Sequence, residues 1–424
     1  MKLLRNFSLY TFIGFLNAGI GFLLLPVLTR HLTPEDYGTI SLINVYVSIL
    51  TPILGLSTSG FLSVEYYNSS YEKKEFSKIF SSVRIIPIIT IVPLLIIFWL
   101  GQGYFPELME LPLQAYWLII PMLLFTLFHG NFTTFLLTTK RAKIFSITTI
   151  AKIFIEISLT LFFLIYLGYG WDGRIYSALI TAILFTGISV WFYDRWKLLS
   201  TDIRKTYIRA AIIFGAPLIL HQIGKFVINQ SDRLFLAKMV SVEEMGVYSV
   251  GYLVGSAILI IVTAFSNFFN PFLFERLKRG SEDDKKEIIK VSYVFSGIAL
   301  GALILLTFIS PFIFRVFIGK SYATGIQYVF WIGLSYFFWS FYNIFSGYIF
   351  FLKKTKILGY LAFVNVGLNC LLNYFFIKEF GAIGAAYATC ISFFIVAVAI
   401  GFIVSKLYPM PWFSFLKKYN NLKN

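Results

Sequence analysis

Charge, cysteine and histidine are all scarce in this 424-residue chain, and each shortage excludes something. Charged residues amount to 13%, where a soluble globular domain carries about 25%, so the chain cannot clothe a water-facing surface of its own size. The two cysteines, Cys370 and Cys390, both sit in apolar runs and offer no disulfide framework. The three histidines, His31, His129 and His221, are not spaced with one another or with cysteine as a metal set requires. No metal site is expected. No Walker lysine, Gly-x-Ser-x-Gly elbow or His-Glu-x-x-His helix occurs, and the Gly-x-Gly pairs at 101–103 and 168–170 read as turns. Neither a catalytic residue nor an enzymatic activity is expected.

What the chain does have is apolar length: 58% hydrophobic residues and a mean hydropathy of +0.79. A stretch of about 20 apolar residues crosses the roughly 30 Å hydrocarbon layer of a bilayer. Spans are predicted at 7–29, 40–62, 79–100, 114–137, 144–167, 175–193, 212–236, 247–269, 291–314, 327–351, 357–377 and 384–405. The first has the charged start of a signal peptide, but its apolar run is too long and lacks a cleavage site, so it reads as a retained helix. Internal prolines at 26, 52, 87, 93, 121 and 217 predict kinked or broken helices.

The net charge of +16 does not point to nucleic acid, because the Lys and Arg residues lie in short gaps between spans and form no basic domain. Their distribution instead gives an orientation. Of the 36, 26 fall on the side that holds both termini, seven on the other, and three (Arg84, Lys152, Lys225) inside spans. Cytoplasmic loops are enriched in Lys and Arg, so both termini are expected in the cytoplasm. Arg84 lies near the cytoplasmic end of its span, from which it can reach the interface.

The chain also repeats itself. Adding 208 sets Arg30 on Lys238, Thr33 on Ser241, Glu35 on Glu243, Asp36 on Glu244, Gly38 on Gly246 and Ser41 on Ser249; further on, KRAKI at 140–144 falls on KKTKI at 353–357. Six spans per half is an even number, so the halves run in the same direction, related by an axis along the membrane normal. The expected fold is an all-α integral membrane bundle of 12 transmembrane helices in two six-helix lobes with that pseudo-two-fold. The expected division is an N-terminal lobe at 1–193, a cytoplasmic linker at 194–211, a C-terminal lobe at 212–405 and a basic cytoplasmic tail at 406–424.

Polar groups inside spans are the candidate site, because a charge in hydrocarbon costs roughly 2.5 to 3.5 kcal/mol on insertion scales and defaults to function. In the seventh span Gln222, Lys225, Asn229 and Asp232 follow steps of three, four and three and so share one helical face. Asn17 is the counterpart of Lys225 in the first half. A structural alternative pairs Asp232 with Arg233 and lets the stripe hold helices together. In the fifth span Lys152 and Glu156 are four apart and can neutralise each other along one helix. The equivalent face of the eleventh span carries Asn365, Asn369 and Asn373, which reads as cavity lining or as interhelical hydrogen bonding.

Three phrases carry a resemblance: LLLPVLTRHLTPEDYGTISL, PLILHQIGKFVINQSDRLFLAKMVSVEEMGVYSVGYLVG and GAIGAAYAT. Together they resemble the polysaccharide-biosynthesis flippases, the Wzx-type O-antigen and capsule exporters of the multidrug/oligosaccharidyl-lipid/polysaccharide (MATE-like) superfamily. The resemblance implies a central cavity, alternating access, and an undecaprenyl-pyrophosphate-linked oligosaccharide moved across the bacterial cytoplasmic (inner) membrane. Of the motif residues, Arg30, Asp36, Asp232 and Arg233 are present. It implies no cofactor, only a coupling ion, Na+ or H+; its partners are the lipid-linked oligosaccharide, membrane lipid, and polysaccharide polymerase and chain-length machinery. The alternatives are a MATE-type multidrug/cation antiporter, which predicts a dominant buried carboxylate, and a membrane polymerase or ligase, which needs a large outer loop.

Overall fold

The structure, a computed structural model, describes residues 19–68 and 73–412. Among these residues the regular elements are helices: α1 (Gly19–His31), α2 (Pro34–Leu54), α3 (Ser59–Tyr67), α4 (Lys73–Arg84), α5 (Ile86–Gly101), α6 (Phe105–Leu108), α7 (Leu113–Thr138), α8 (Ala142–Leu161), α9 (Trp171–Arg195), α10 (Lys205–Met239), α11 (Val242–Gly255), α12 (Ala257–Arg279), α13 (Glu282–Phe317), α14 (Ile326–Phe351), α15 (Lys356–Phe380) and α16 (Ile383–Leu407). Ten helical stretches are long and apolar enough to cross a membrane. Their outer surfaces are apolar as well, with Phe308 and Phe363 each 80% exposed. Leaving such a ring in water forgoes about 1.5 to 3 kcal/mol, so these faces belong in lipid and the chain is a multi-pass membrane protein.

Local sequence explains where helices start and break. Thr33 caps α2: its hydroxyl accepts from Asp36 N at 3.1 Å, while Asp36 Oδ2 accepts from Thr33 N at 3.0 Å, and Pro34 fills the first turn. The span expected at 40–62 is two helices, broken after Pro52 and Gly55 at Leu56 and Ser57, which take left-handed φ values of 44° and 52°. The span expected at 79–100 likewise divides at Ile85, just ahead of Pro87. A backbone freed by such a break needs new partners, and Leu54 O finds one in Thr90 Oγ1 at 2.6 Å.

The chain divides into two compact units, Met1–Gly246 and Val247–Asn424. In the first, α2 packs against α7, α9 and α10, α8 against α9, and α10 also against α3 and α4. Gly215 lets α10 lie directly on the α2–α3 break, since an added Cβ would stand 2.0 Å from Leu56 O. The stretch between α9 and α10 is tied to α4. Ser81 Oγ accepts from Ser200 N at 2.8 Å, Ser82 Oγ accepts from Arg204 N at 2.9 Å, and Lys78 pairs with Asp202 at 3.1 Å. Hydrogen bonds from Arg204 and Lys78 hold the Asp202 carboxyl below the usual carboxylate range.

The second unit is built on α14, which packs against α12, α13 and α16, with α15 laid along α16. Small residues set the close approaches: an added Cβ at Gly251 would meet Gly325 O at 2.2 Å. The Tyr252 and Tyr336 hydroxyls share a buried hydrogen bond at 2.7 Å.

Candidate functional site

Within the first unit the contacts define two ends. At one, α3, α7 and α9 finish together, with Ser63 and Thr138 hydroxyls 2.8 Å apart and Lys140, Arg141, Arg195 and Lys197 nearby in sequence. At the other, Lys238 pairs with Glu110 at 2.8 Å, and Asp36 Oδ1 accepts from Trp171 N at 3.4 Å. Of the candidate residues in this unit, Lys152 and Glu156 lie on α8 and Gln222, Lys225, Asn229 and Asp232 on α10.

Lys152 and Glu156 do meet, Nζ to Oε2, at 2.7 Å. The other carboxylate oxygen takes Arg174 Nη2, also at 2.7 Å. Glu156, 6% exposed, is therefore shared by two cations, and the cluster carries a net positive charge. Thr160 extends it: its hydroxyl bonds Glu156 O at 2.7 Å and Ser177 Oγ at 2.8 Å, tying α8 to α9. The span predicted at 175–193 leaves Arg174 just outside it. In fact α9 begins at Trp171, and the guanidinium occupies its first turn. His129 of α7 lies within electrostatic reach of Lys152 and Glu156, and its buried Nδ1 has no hydrogen-bond partner.

The α10 stripe separates into two parts. Asp232, 4% exposed, receives Arg233 N at 2.9 Å and Arg233 Nη1 at 3.2 Å. This is the structural pairing that the sequence offered as an alternative. Gln222, Lys225 and Asn229 remain exposed. Gln222 donates to Ser57 Oγ at 2.8 Å, a contact made possible by the left-handed turn between α2 and α3. Asn229 Nδ2 is turned back on Lys225 O at 2.7 Å. The Lys225 ammonium makes no hydrogen bond or ion pair with a described residue. Tyr37 lies within electrostatic reach of both Arg174 and Arg233 and so connects the two charged clusters. Arg30 is exposed near the start of α2. Asn17 lies outside the described residues.

The Arg84 guanidinium stands 4.3 Å from the Tyr193 ring centre, with Phe80 and Phe128 at 5.6 and 5.7 Å. An aromatic cage stabilises a cation where water is absent. No spacing rule would reveal it, because the rings come from three helices.

In the second unit Asn365, Asn369 and Asn373 are all buried. Asn373 Nδ2 donates to Asn369 Oδ1 at 3.0 Å, and Asn369 Nδ2 donates to Ser392 of α16 at 3.3 Å. The ladder thus fastens α15 to α16. The Oδ1 atoms of Asn365 and Asn373 are buried without a donor.

The repeated phrases pack on each other. An added Cβ at Gly38 would meet Val242 O at 2.1 Å, and one at Gly246 would meet Pro34 O at 1.9 Å. At the offset of 208, Pro34 falls on Val242 as Gly38 falls on Gly246, so each contact is the other with the halves exchanged.

A bundle of apolar helices with paired charge inside and an unpaired ammonium midway along one of them belongs to the class of multi-pass membrane transporters. The chain is a member of the polysaccharide biosynthesis protein family, whose profile matches residues 3–275. The MatE profile matches residues 217–375. Among curated proteins it is similar to the Lsg locus putative protein 1 of Haemophilus influenzae, 25% identical, covering 85% of this chain and 87% of that one. It is also similar to the capsular polysaccharide biosynthesis protein CapF of Staphylococcus aureus, 24% identical, covering 76% and 78%. Its fold matches that of the lipid II flippase MurJ in an inward closed conformation with a TM-score of 0.70 at 19% identity, over 94% of this chain and 87% of that one.

Proposed function

We propose that the protein is a flippase, not an enzyme, that carries a lipid-linked oligosaccharide with a pyrophosphate head across the bacterial cytoplasmic membrane by alternating access. The observation that carries this is Lys225, an exposed ammonium midway along an apolar helix without a carboxylate partner among the described residues. Such a charge costs several kcal/mol in lipid unless water or an anion meets it. The head supplies the anion, and the lipid tail stays in the bilayer. Exposed Gln222 and Asn229 beside it offer donors and acceptors to sugars. Both family membership and the capsular relative support the same cargo.

The same proposal includes twelve spans, the ten apolar stretches together with α1 and α14, and both termini in the cytoplasm. The reciprocal glycine contacts support a two-fold relation between the halves. It includes a coupling ion, Na+ or H+; the two buried amide oxygens of α15 are neutral acceptors of the kind sodium takes. Polysaccharide polymerase and chain-length machinery are its expected partners. Cation export, which the MatE match brings into view, is the second reading. It suits the site less, because the buried carboxylate Glu156 already holds two cations.

The test is Lys225→Ala against Lys225→Arg in proteoliposomes loaded with labelled lipid-linked oligosaccharide. The alanine variant should lose about tenfold or more of the translocation rate and the arginine variant most of that loss should regain. Equal rates for wild type and Lys225→Ala would overturn the assignment, as would drug sensitivity with intact surface polymer in a deletion strain.

A further inference from the structure

A cavity of about 460 Å³ opens at the basic end of the first unit, away from the α10 stripe, and five of its lining residues have complementary chemistry: Glu65, Tyr66, Arg141, Arg195 and Trp196. The Arg141 guanidinium lies over Trp196, 3.6 Å from the ring centre, and burial pushes its pKa down. Among the described residues it has no carboxylate partner, nor has Arg195, whose guanidinium rests 5.4 Å from the ring centre of Trp191. Glu65 faces the same space, and its Oε2 is buried without a hydrogen-bond donor. Two arginines and a carboxylate thus share a cavity without pairing. A buried carboxylate oxygen without a donor is costly, as is a partly desolvated guanidinium without an acceptor. A ligand that brings an anion at one end and an N–H donor at the other meets both the guanidinium groups and the carboxylate that line the cavity.

The level of the cavity says what can enter. Exposed Tyr66, Tyr67 and Trp191 sit where their spans end, with Lys140 over the Tyr67 ring at 5.9 Å. Aromatic rings interleaved with Lys and Arg mark the headgroup layer of a bilayer. We infer that this cavity holds the headgroup of a bilayer phospholipid of the phosphoethanolamine type, with its phosphate on Arg141 and Arg195 and its ammonium on Glu65. Arginine forks suit phosphate oxygens. A trimethylammonium headgroup has no N–H for the Glu65 carboxylate, and a purely anionic headgroup brings its charge towards that carboxylate. Both should bind more weakly. The inference does not depend on what the protein transports, because its readout is lipid retention and not translocation.

The experiment is native mass spectrometry of the full-length protein released from nanodiscs of equal parts phosphatidylethanolamine, phosphatidylcholine and phosphatidylglycerol. Wild type should retain phosphatidylethanolamine about tenfold over phosphatidylcholine, and Glu65→Gln, which keeps the shape and removes the charge, should bring the ratio to within about twofold. Arg141→Lys, which keeps a cation over Trp196 but loses the fork, should weaken retention while the protein stays folded. Equal retention of the three lipids by wild type overturns the inference. So does a preference that survives Glu65→Gln, or inorganic phosphate displacing the lipid as well as soluble glycerophosphoethanolamine does.

Discussion

At the scale of single residues, the charged cluster on α8 and α9 shows what spacing can and cannot reveal. Lys152 and Glu156 are four apart on one helix, so their meeting was legible in the sequence. Arg174 was not, because it reaches Glu156 across a helix-to-helix turn whose geometry no periodicity encodes. The arrangement makes a specific prediction about stability. Removing the carboxylate leaves two half-buried cations facing each other, whereas removing Lys152 leaves one neutral Arg174–Glu156 pair. Glu156→Gln should therefore cost about 3 kcal/mol or more, and Lys152→Met well under half of that. Thermal unfolding of the two variants in the same detergent measures the difference. Equal losses would mean that Arg174 does not share the carboxylate.

At the scale of elements, helix positions were largely legible and helix breaks only partly so. The predicted spans from 40–62 onward fall along α2 to α16, while that at 7–29 begins outside the described residues, and the prolines point to interruption. Yet the interruption between α2 and α3 falls at Leu56 and Ser57, four and five residues beyond Pro52, where the left-handed backbone costs about 1–2 kcal/mol per residue. That turn presents Leu56 O to Gly215 and Ser57 to Gln222, so the site owes its geometry to a place with no sequence signature of its own. The crossing of α2 and α11 is the opposite case. The repeat alone pairs Gly38 with Gly246, and packing shows why each position lacks a side chain. Gly246→Ala should force the two helix starts apart, at a cost of about 1–3 kcal/mol for overpacking. A cysteine placed at buried Thr39 should then react faster with a polar thiol reagent than it does in a Gly246 background. Gly187→Ala, where an added Cβ meets nothing within 4 Å, is the control and should change neither measurement for the worse.

At the scale of the whole molecule, the chain carries two dividing lines that do not coincide. The repeat divides it near residue 212, which groups α10 with the second half; packing divides it after Gly246, which groups α10 with the first. The first line follows from the duplicated phrases and was legible in the sequence. The second could not be read there, because it depends on contacts such as Gly215 on Leu56 and Lys238 on Glu110. If transport proceeds by alternating access between repeat-related halves, the contacts of α10 with the first half near the Gly38–Val242 crossing must open during the cycle. Those contacts are built for it: an exposed ion pair is worth little, and glycines meeting carbonyl oxygens leave no interlocked side chains to separate. Glu110→Cys with Lys238→Cys, in a chain whose Cys370 and Cys390 are alanine, can be joined by a cleavable thiol cross-linker. Joining them should slow translocation about tenfold or more, with recovery on cleavage. The same treatment of Ser63→Cys with Thr138→Cys, which lie on α3 and α7 of one half, should leave the rate within about twofold of the unlinked protein. Full activity in the first cross-linked pair would instead mean that residues 1–246 move as one body and that packing, not the repeat, sets the moving parts.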